Sequence, residues 1–200
     1  MRDGNIWTRR TTLGVAGAIT GLLALGIGPA NAQPSGPAKP RKQELPPPPQ
    51  VRGLDFTLGT FDCTQPGQTK LEVTMAAKRG LGGHYYYSDV TQYMAAPYPN
   101  VYGKGVYGWN PVDGTFIMQY HDNWGSSGTA SSPGWQDGHL RFAGNLLQVL
   151  NPNPTGTAKG VTLGIKDDYQ VIDRNRFTIA QTVTSPDGTS KNGNLDCRRR

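Results

Sequence analysis

The sequence predicts an all-β fold, an antiparallel up-and-down closed barrel of about ten strands, sealed by a disulfide. Three observations carry this reading. Between residues 53 and 197, Gly, Asn-Pro and Asp-Gly turns recur about every ten residues, and the segments between them are rich in Val, Thr, Tyr, Phe and Ile. That is the texture of strands rather than helices. The hairpins follow one another directly, which suits a meander whose two edge strands are satisfied by closing the sheet on itself. Finally, Cys63 and Cys197 stand near the two ends of this region, where closure sets the first and last strands side by side.

The chain before the barrel divides in two. Residues 1–32 read as an export signal: Arg2, Arg9 and Arg10 make a basic start, Leu13 to Ile27 is uncharged, and Ala30-Asn31-Ala32 has the small-x-small form cut by a signal peptidase, after Ala32. Thr8-Arg9-Arg10-Thr11-Thr12-Leu13 also resembles a twin-arginine signal, and the general export pathway is the alternative. The apolar run is short and Gly-rich, a poor transmembrane helix. Residues 33–52 are Pro-rich, with Pro46-Pro47-Pro48-Pro49 near the end, and predict a stiff, extended spacer. The protein is therefore expected to be secreted or extracytoplasmic, with no transmembrane segment.

Within the barrel domain, 53–197, three hairpins are explicit. Val106-Tyr107-Gly108-Trp109 turns through Asn110-Pro111-Val112-Asp113-Gly114 into Thr115 to His121. Ala130 to Trp135 turns at Asp137-Gly138 into His139 to Ala143, and Arg176 to Val183 turns at Pro186-Asp187-Gly188 into a last strand reaching Cys197. Segments near 55–63, 68–77, 83–94 and 161–171 complete about ten strands, with no convincing helix. The stretch from Asn145 to Gly160, containing Asn151-Pro152-Asn153-Pro154, reads as a loop that could cap one end. Arg198-Arg199-Arg200 reads as a basic tail.

Charge follows the same division. The chain carries 20 Lys and Arg against 14 Asp and Glu, a formal net charge of +6. The excess lies in residues 1–52 and in the last three residues, so the barrel itself is slightly acidic. Basic ends predict at most weak contact with an anionic envelope surface and exclude a shaped nucleic-acid face. In an exported chain the lone cysteine pair reads as the disulfide Cys63–Cys197, the alternative being two buried thiols.

Several motifs, taken together, resemble the DUF1579-like calycin family of small barrels, which are related in shape to lipocalins. Leu54-Asp55-Phe56-Thr57-Leu58-Gly59-Thr60-Phe61 is similar to its Leu-x-x-Leu-x-Gly-x-Trp opening, with Phe61 in place of Trp. Leu81-Gly82-Gly83-His84-Tyr85-Tyr86 resembles its Gly-Gly-x-aromatic strand start. Gly105-Val106-Tyr107-Gly108-Trp109-Asn110, followed by Tyr120-His121-Asp122, resembles its Gly-x-x-Gly-aromatic-Asp and Asp-x-x-Gly elements, with Asn110 where the family has Asp. The resemblance spans roughly 53–184. It implies a calycin-like barrel and hints at a held ligand.

Catalytic chemistry is weakly signalled. His121 and Asp122 are the candidate catalytic residues, but adjacent strand residues point to opposite faces, so Asp122 cannot easily orient His121. A metal site would need His84, His121 and His139 to converge, and none is expected. No Gly-x-Ser-x-Gly is present, Glu72 is the single Glu of the barrel region, and most Asp residues are expected in turns. No cofactor is implied.

The aromatic residues say more. Tyr85, Tyr87, Tyr107, Trp109, Trp124 and Trp135, with Gln119 and His121 as polar partners, are the candidate ligand-binding residues. Core filling is the alternative use for the same rings. The expectation is a secreted barrel that holds a small hydrophobic or amphipathic molecule in an aromatic-lined cavity. The alternatives are a cyclase- or isomerase-type enzyme using that cavity, and an envelope-associated structural protein attached through its spacer and tail.

Overall fold

The computed structural model describes residues 45–151 and 159–200. The expected export signal and residues 33–44 of the spacer lie outside the described residues. So does 152–158, the connection between two long strands.

The strands are β1 (Gly59–Thr64), β2 (Leu71–Gly80), β3 (Tyr85–Gln92), β4 (Val101–Asn110), β5 (Thr115–Asp122), β6 (Ser127–Ser132), β7 (Trp135–Gln136), β8 (His139–Asn151), β9 (Lys159–Asp173), β10 (Arg176–Thr184) and β11 (Ser190–Arg199). Each pairs antiparallel with its neighbour in the chain, except that β6 pairs with β8 and β7 is a two-residue outer strand on β8 alone. Pairing of β1 with β11 completes the circle. The result is the expected up-and-down barrel of ten strands, with one outer strand added.

The closing seam is covalent. Cys63 and Cys197 face each other directly in the β1–β11 register, with an S–S distance of 2.06 Å. Both are fully buried on the inner face, beside Phe61 and Phe177. The predicted pairing is therefore present.

Strand period sets the core. On β9, Leu163, Ile165, Asp167 and Tyr169 are buried while their neighbours are more exposed. Phe61 and Cys63 on β1, and Phe177 and Ile179 on β10, do the same. Leu140 and Phe142 continue the inner face on β8.

The sequence did not predict the element that closes one end. Pro49–Thr57 forms a nine-residue 3-10 helix that crosses the end where β2 meets β3 and β9 meets β10. Pro49 opens it at a position where a missing N–H costs nothing. Val51 and Leu54, 1% and 2% exposed, drop into the barrel. Phe56 meets Phe177, Trp135 and Tyr169 edge-on at 5.3, 5.6 and 6.0 Å. Polar contacts fix the rim: Arg79 Nη2 donates to Asp55 Oδ1 at 2.5 Å, the Tyr86 hydroxyl donates to the same oxygen, and Trp135 Nε1 donates to the Gly53 carbonyl at 3.0 Å.

Three expectations are corrected by this architecture. The spacer ends earlier than residue 52, because Val51 supplies core surface and needs a compact backbone to do so. The stretch 145–160 is mostly strand: β8 runs to Asn151 and β9 begins at Lys159, leaving a connection of 152–158 only. The basic tail is no tail. Arg198 and Arg199 lie in β11, Arg199 lies over the Phe61 ring at 4.6 Å, and Arg200 Nη2 reaches Asp62 Oδ1 at 2.7 Å. These three arginines complete the seam.

Candidate functional site

With the 3-10 helix across one end, the inner faces of the strands enclose a cavity of about 870 Å³. It opens at the opposite end, where β1 turns into β2 and β10 into β11. Its walls are largely apolar, with Met75, Val90, Met118, Leu163, Ile165 and Ile179 prominent. This volume lies within the range of small-molecule pockets, about 300–1,000 Å³.

The inner face of β4 carries glycines where other strands carry bulk. Gly103 and Gly105 lie opposite Asp122 and Tyr120 on β5, and Gly103 leaves the room taken by the Tyr120 ring. Tyr107 follows them on the same face, and Tyr169 comes from the far wall on β9.

At the waist of the cavity lies a polar group. Asp167, 8% exposed, accepts a hydrogen bond at 2.8 Å on Oδ1 from Gln181 Nε2 of the adjacent β10. Burial raises its carboxyl above the ordinary Asp value, and only Gln181 counteracts this. Burial likewise pushes up the phenols of Tyr107 and Tyr120, with the charge of Asp167 adding at Tyr107 and that of Asp122 at Tyr120. Tyr169 is raised by burial, then by Tyr107 and Asp167. These phenols therefore keep their protons at neutral pH. Ser88, 2% exposed, lies on the same inner face beside Tyr107.

Among the described residues, no Lys, Arg or His lines the cavity, while Asp167, Asp122 and Glu72 do. Asp122 is held locally: its Oδ1 accepts from the backbone N–H groups of Trp124 and Ser126, both at 2.9 Å. Glu72 sits at the rim, 3.4 Å from Lys70. Asp167 alone presents a deep carboxyl with no charged partner.

The residues expected at the site separate by strand phase. Tyr107 and Trp124 line the cavity. Trp109 faces inward near the closed end, edge-on to Phe116 at 5.0 Å, and Trp135 braces the 3-10 helix there. The other candidates do not reach the interior. Tyr85 and Tyr87 flank the buried Tyr86, so they lie on the outer face of β3. Gln119 and His121 alternate with the inward Met118 and Tyr120 and are exposed outside β5. His121 and Asp122, the weak catalytic candidates, lie on opposite faces of β5.

Asp167, Gln181, Tyr120 and Tyr169 went unpredicted as site residues. Their signal is in the alternation: Val161, Leu163, Ile165 and Tyr169 are apolar or aromatic at every second position, and Asp167 stands in phase with them. An acid on the apolar face of a strand cannot be a turn residue. Elsewhere, His139 Nδ1 and Arg141 Nε meet Asp168 at 2.8 and 3.0 Å on the outer face, and His84 Nε2 lies 3.1 Å from the Leu45 carbonyl. Among the described residues, no three His, Cys, Asp or Glu side chains are grouped to hold a metal ion. No described helix is long and apolar enough to cross a membrane.

A family described as a protein of unknown function, DUF1579, matches residues 59–193, which is β1 to the middle of β11. No curated protein matches the chain.

Proposed function

Since the chain belongs to the DUF1579 family of proteins of unknown function, we propose from its own geometry that it is an extracytoplasmic barrel holding a small hydrophobic or amphipathic molecule. One observation carries the reading: an apolar cavity of about 870 Å³, blocked at one end and open at the other. A fold that needed only stability would fill this space, because packed interiors leave few voids larger than a water. The disulfide and the export-like first 32 residues support a site outside the cytoplasm.

The test is native mass spectrometry of the protein recovered from an exporting host. A non-covalent adduct that leaves on activation, and that quenches or protects Trp124 fluorescence when added back, is the expected result. An empty protein that takes up no apolar probe, with Trp124 unaffected, overturns it.

A second reading rests on Asp167. A carboxyl raised by burial, beside protonated Tyr107 and Tyr169, is suited to general acid–base work of the cyclase or isomerase type. Turnover lost in Asp167→Asn but ligand uptake retained would favour it. His121 is not a candidate base, since it is exposed on the outer face. An envelope-attached structural role loses its basic tail, because Arg198 to Arg200 are engaged along the seam.

A further inference from the structure

We infer that the molecule held in the cavity is an organic cation, a protonated amine with an apolar body, whose ammonium group pairs with Asp167. This rests on the proposed binding function and deepens it. The cavity lining sets the sign. Among the described residues it contains three carboxylic acids and no Lys, Arg or His. An anionic lipid placed here would bring its carboxylate against Asp167 with nothing to neutralise either charge, at a cost that an interior of low dielectric makes severe.

The deep carboxyl is also under-used. Asp167 Oδ1 accepts one hydrogen bond, from Gln181, and the side chain has no ion pair. Tyr107 on β4 and Tyr169, two residues further along β9, are the titratable groups beside it; Gln181 from β10 and Phe142 from β8 are neutral. A carboxylate beside two tyrosine side chains is a fitting partner for an ammonium group, which gains the ion pair and, against a ring, cation–π attraction. Beyond this waist the wall is apolar to the mouth, with Met75, Val90 and Leu163 on it, which accommodates the body of the ligand.

Protons give the inference its signature. The empty site holds Asp167 with its carboxyl raised by burial. An arriving ammonium ion favours the carboxylate, so the carboxyl proton leaves to solvent as the ion pair forms. Binding then releases up to one proton, and affinity rises with pH until Asp167 is ionised in the empty protein. A neutral ligand that accepts a hydrogen bond from the carboxyl would show the reverse.

The experiment is isothermal titration calorimetry of the full chain with octylamine, octanol and octanoate, in two buffers of different ionisation enthalpy, from mildly acidic to mildly alkaline pH. The expected result is octylammonium bound at least about tenfold more tightly than either other probe, with proton release at acidic pH. In Asp167→Asn this preference should fall to the level of octanol. Far-ultraviolet circular dichroism of that variant checks the fold, and the proton count on the unaltered protein needs no variant at all. Octanol or octanoate bound as tightly as octylamine, or no proton release, overturns the cation while leaving the cavity reading intact. Failure of all three probes to bind overturns both.

Discussion

Asp167 accepts a hydrogen bond from Gln181 across two neighbouring strands, 2.8 Å apart inside the barrel, and among the described residues no cation lines the cavity around them. That isolation has a consequence for stability. A carboxyl raised in the folded state binds its proton more tightly there than in the unfolded chain. Below the ordinary Asp value of about 4 both states are protonated and nothing is lost. As pH climbs from there through the folded value, ionisation costs the fold, and stability drops to a plateau. Urea titrations at a series of pH values should show this decline. Asp167→Asn, whose side-chain oxygen can still accept from Gln181, should abolish it and raise the midpoint at neutral pH.

At lower pH the slope reverses. Asp62 and Asp196 are held below their ordinary values, first by hydrogen bonds from Arg200 and Arg176 respectively, which outweigh burial. At Asp55 burial is the largest influence and raises the carboxyl, but Arg79 and Tyr86 together prevail. Their contribution is present above about pH 4 and lost as pH falls through the folded values. All three carboxylates tie down an end of the barrel: Asp55 the 3-10 helix, Asp62 and Asp196 the seam. Acid unfolding should therefore be preceded by fraying there, read as early hydrogen exchange in β1 and β11. Uniform exchange across all strands would contradict this.

The 3-10 helix should be a structural part of the domain. Leu54 is 2% exposed within the core, so Leu54→Ala removes methylenes and leaves a cavity, at a cost of about 2–5 kcal/mol. A spacer residue would cost almost nothing. Chemical denaturation distinguishes the two, and a shift within about 0.5 kcal/mol would return Pro49–Thr57 to the spacer.

Reduction of Cys63–Cys197 frees a loop 134 residues long. The typical stabilisation for such a link is about 2–4 kcal/mol. The double variant Cys63→Ser, Cys197→Ser should lose about that much and still fold, because the β1–β11 ladder and the Arg200–Asp62 ion pair remain. A denaturation midpoint insensitive to reductant would show that the link adds nothing.

Much of this molecule was legible in its residues, and the misses share a cause. Turn chemistry at Asn110–Gly114 and at Pro186-Asp187-Gly188 gave two hairpins closely. The Cys63–Cys197 pair agreed with closure. Pro49–Thr57 was hidden because composition cannot tell a Pro-rich spacer from a Pro-started 3-10 turn; only Val51 and Leu54 hint that it is buried. At the site, Tyr85, Gln119 and His121 were chosen by residue type, whereas the pleat sorts by phase. Counting in twos from Met118 or from Ile165 would have removed Gln119 and His121 and added Asp167. Gln181 and Asp167 meet only through the β9–β10 register, which no single strand reveals.

Two glycines on the inner face should respond to the same substitution very differently. A Cβ on Gly103 would stand 2.4 Å from the Tyr120 ring and 2.5 Å from its hydroxyl. Tyr120 is a side chain at the edge of a cavity, so it can swing into that space. A Cβ on Gly144 would stand 2.0 Å from the Thr129 carbonyl and 2.5 Å from Ala130 Cα. That is backbone of β6, paired with β8 at the point where the chain skips β7. No rotamer change relieves it, and the two strands must part. Gly103→Ala should therefore cost about 1 kcal/mol, at the low end for overpacking, while reducing the volume left to a ligand. Gly144→Ala should cost about 3 kcal/mol or more. Equal losses in denaturation experiments would mean that the β6–β8 pairing gives way easily, and that the barrel is looser at this seam than at the one sealed by Cys63 and Cys197.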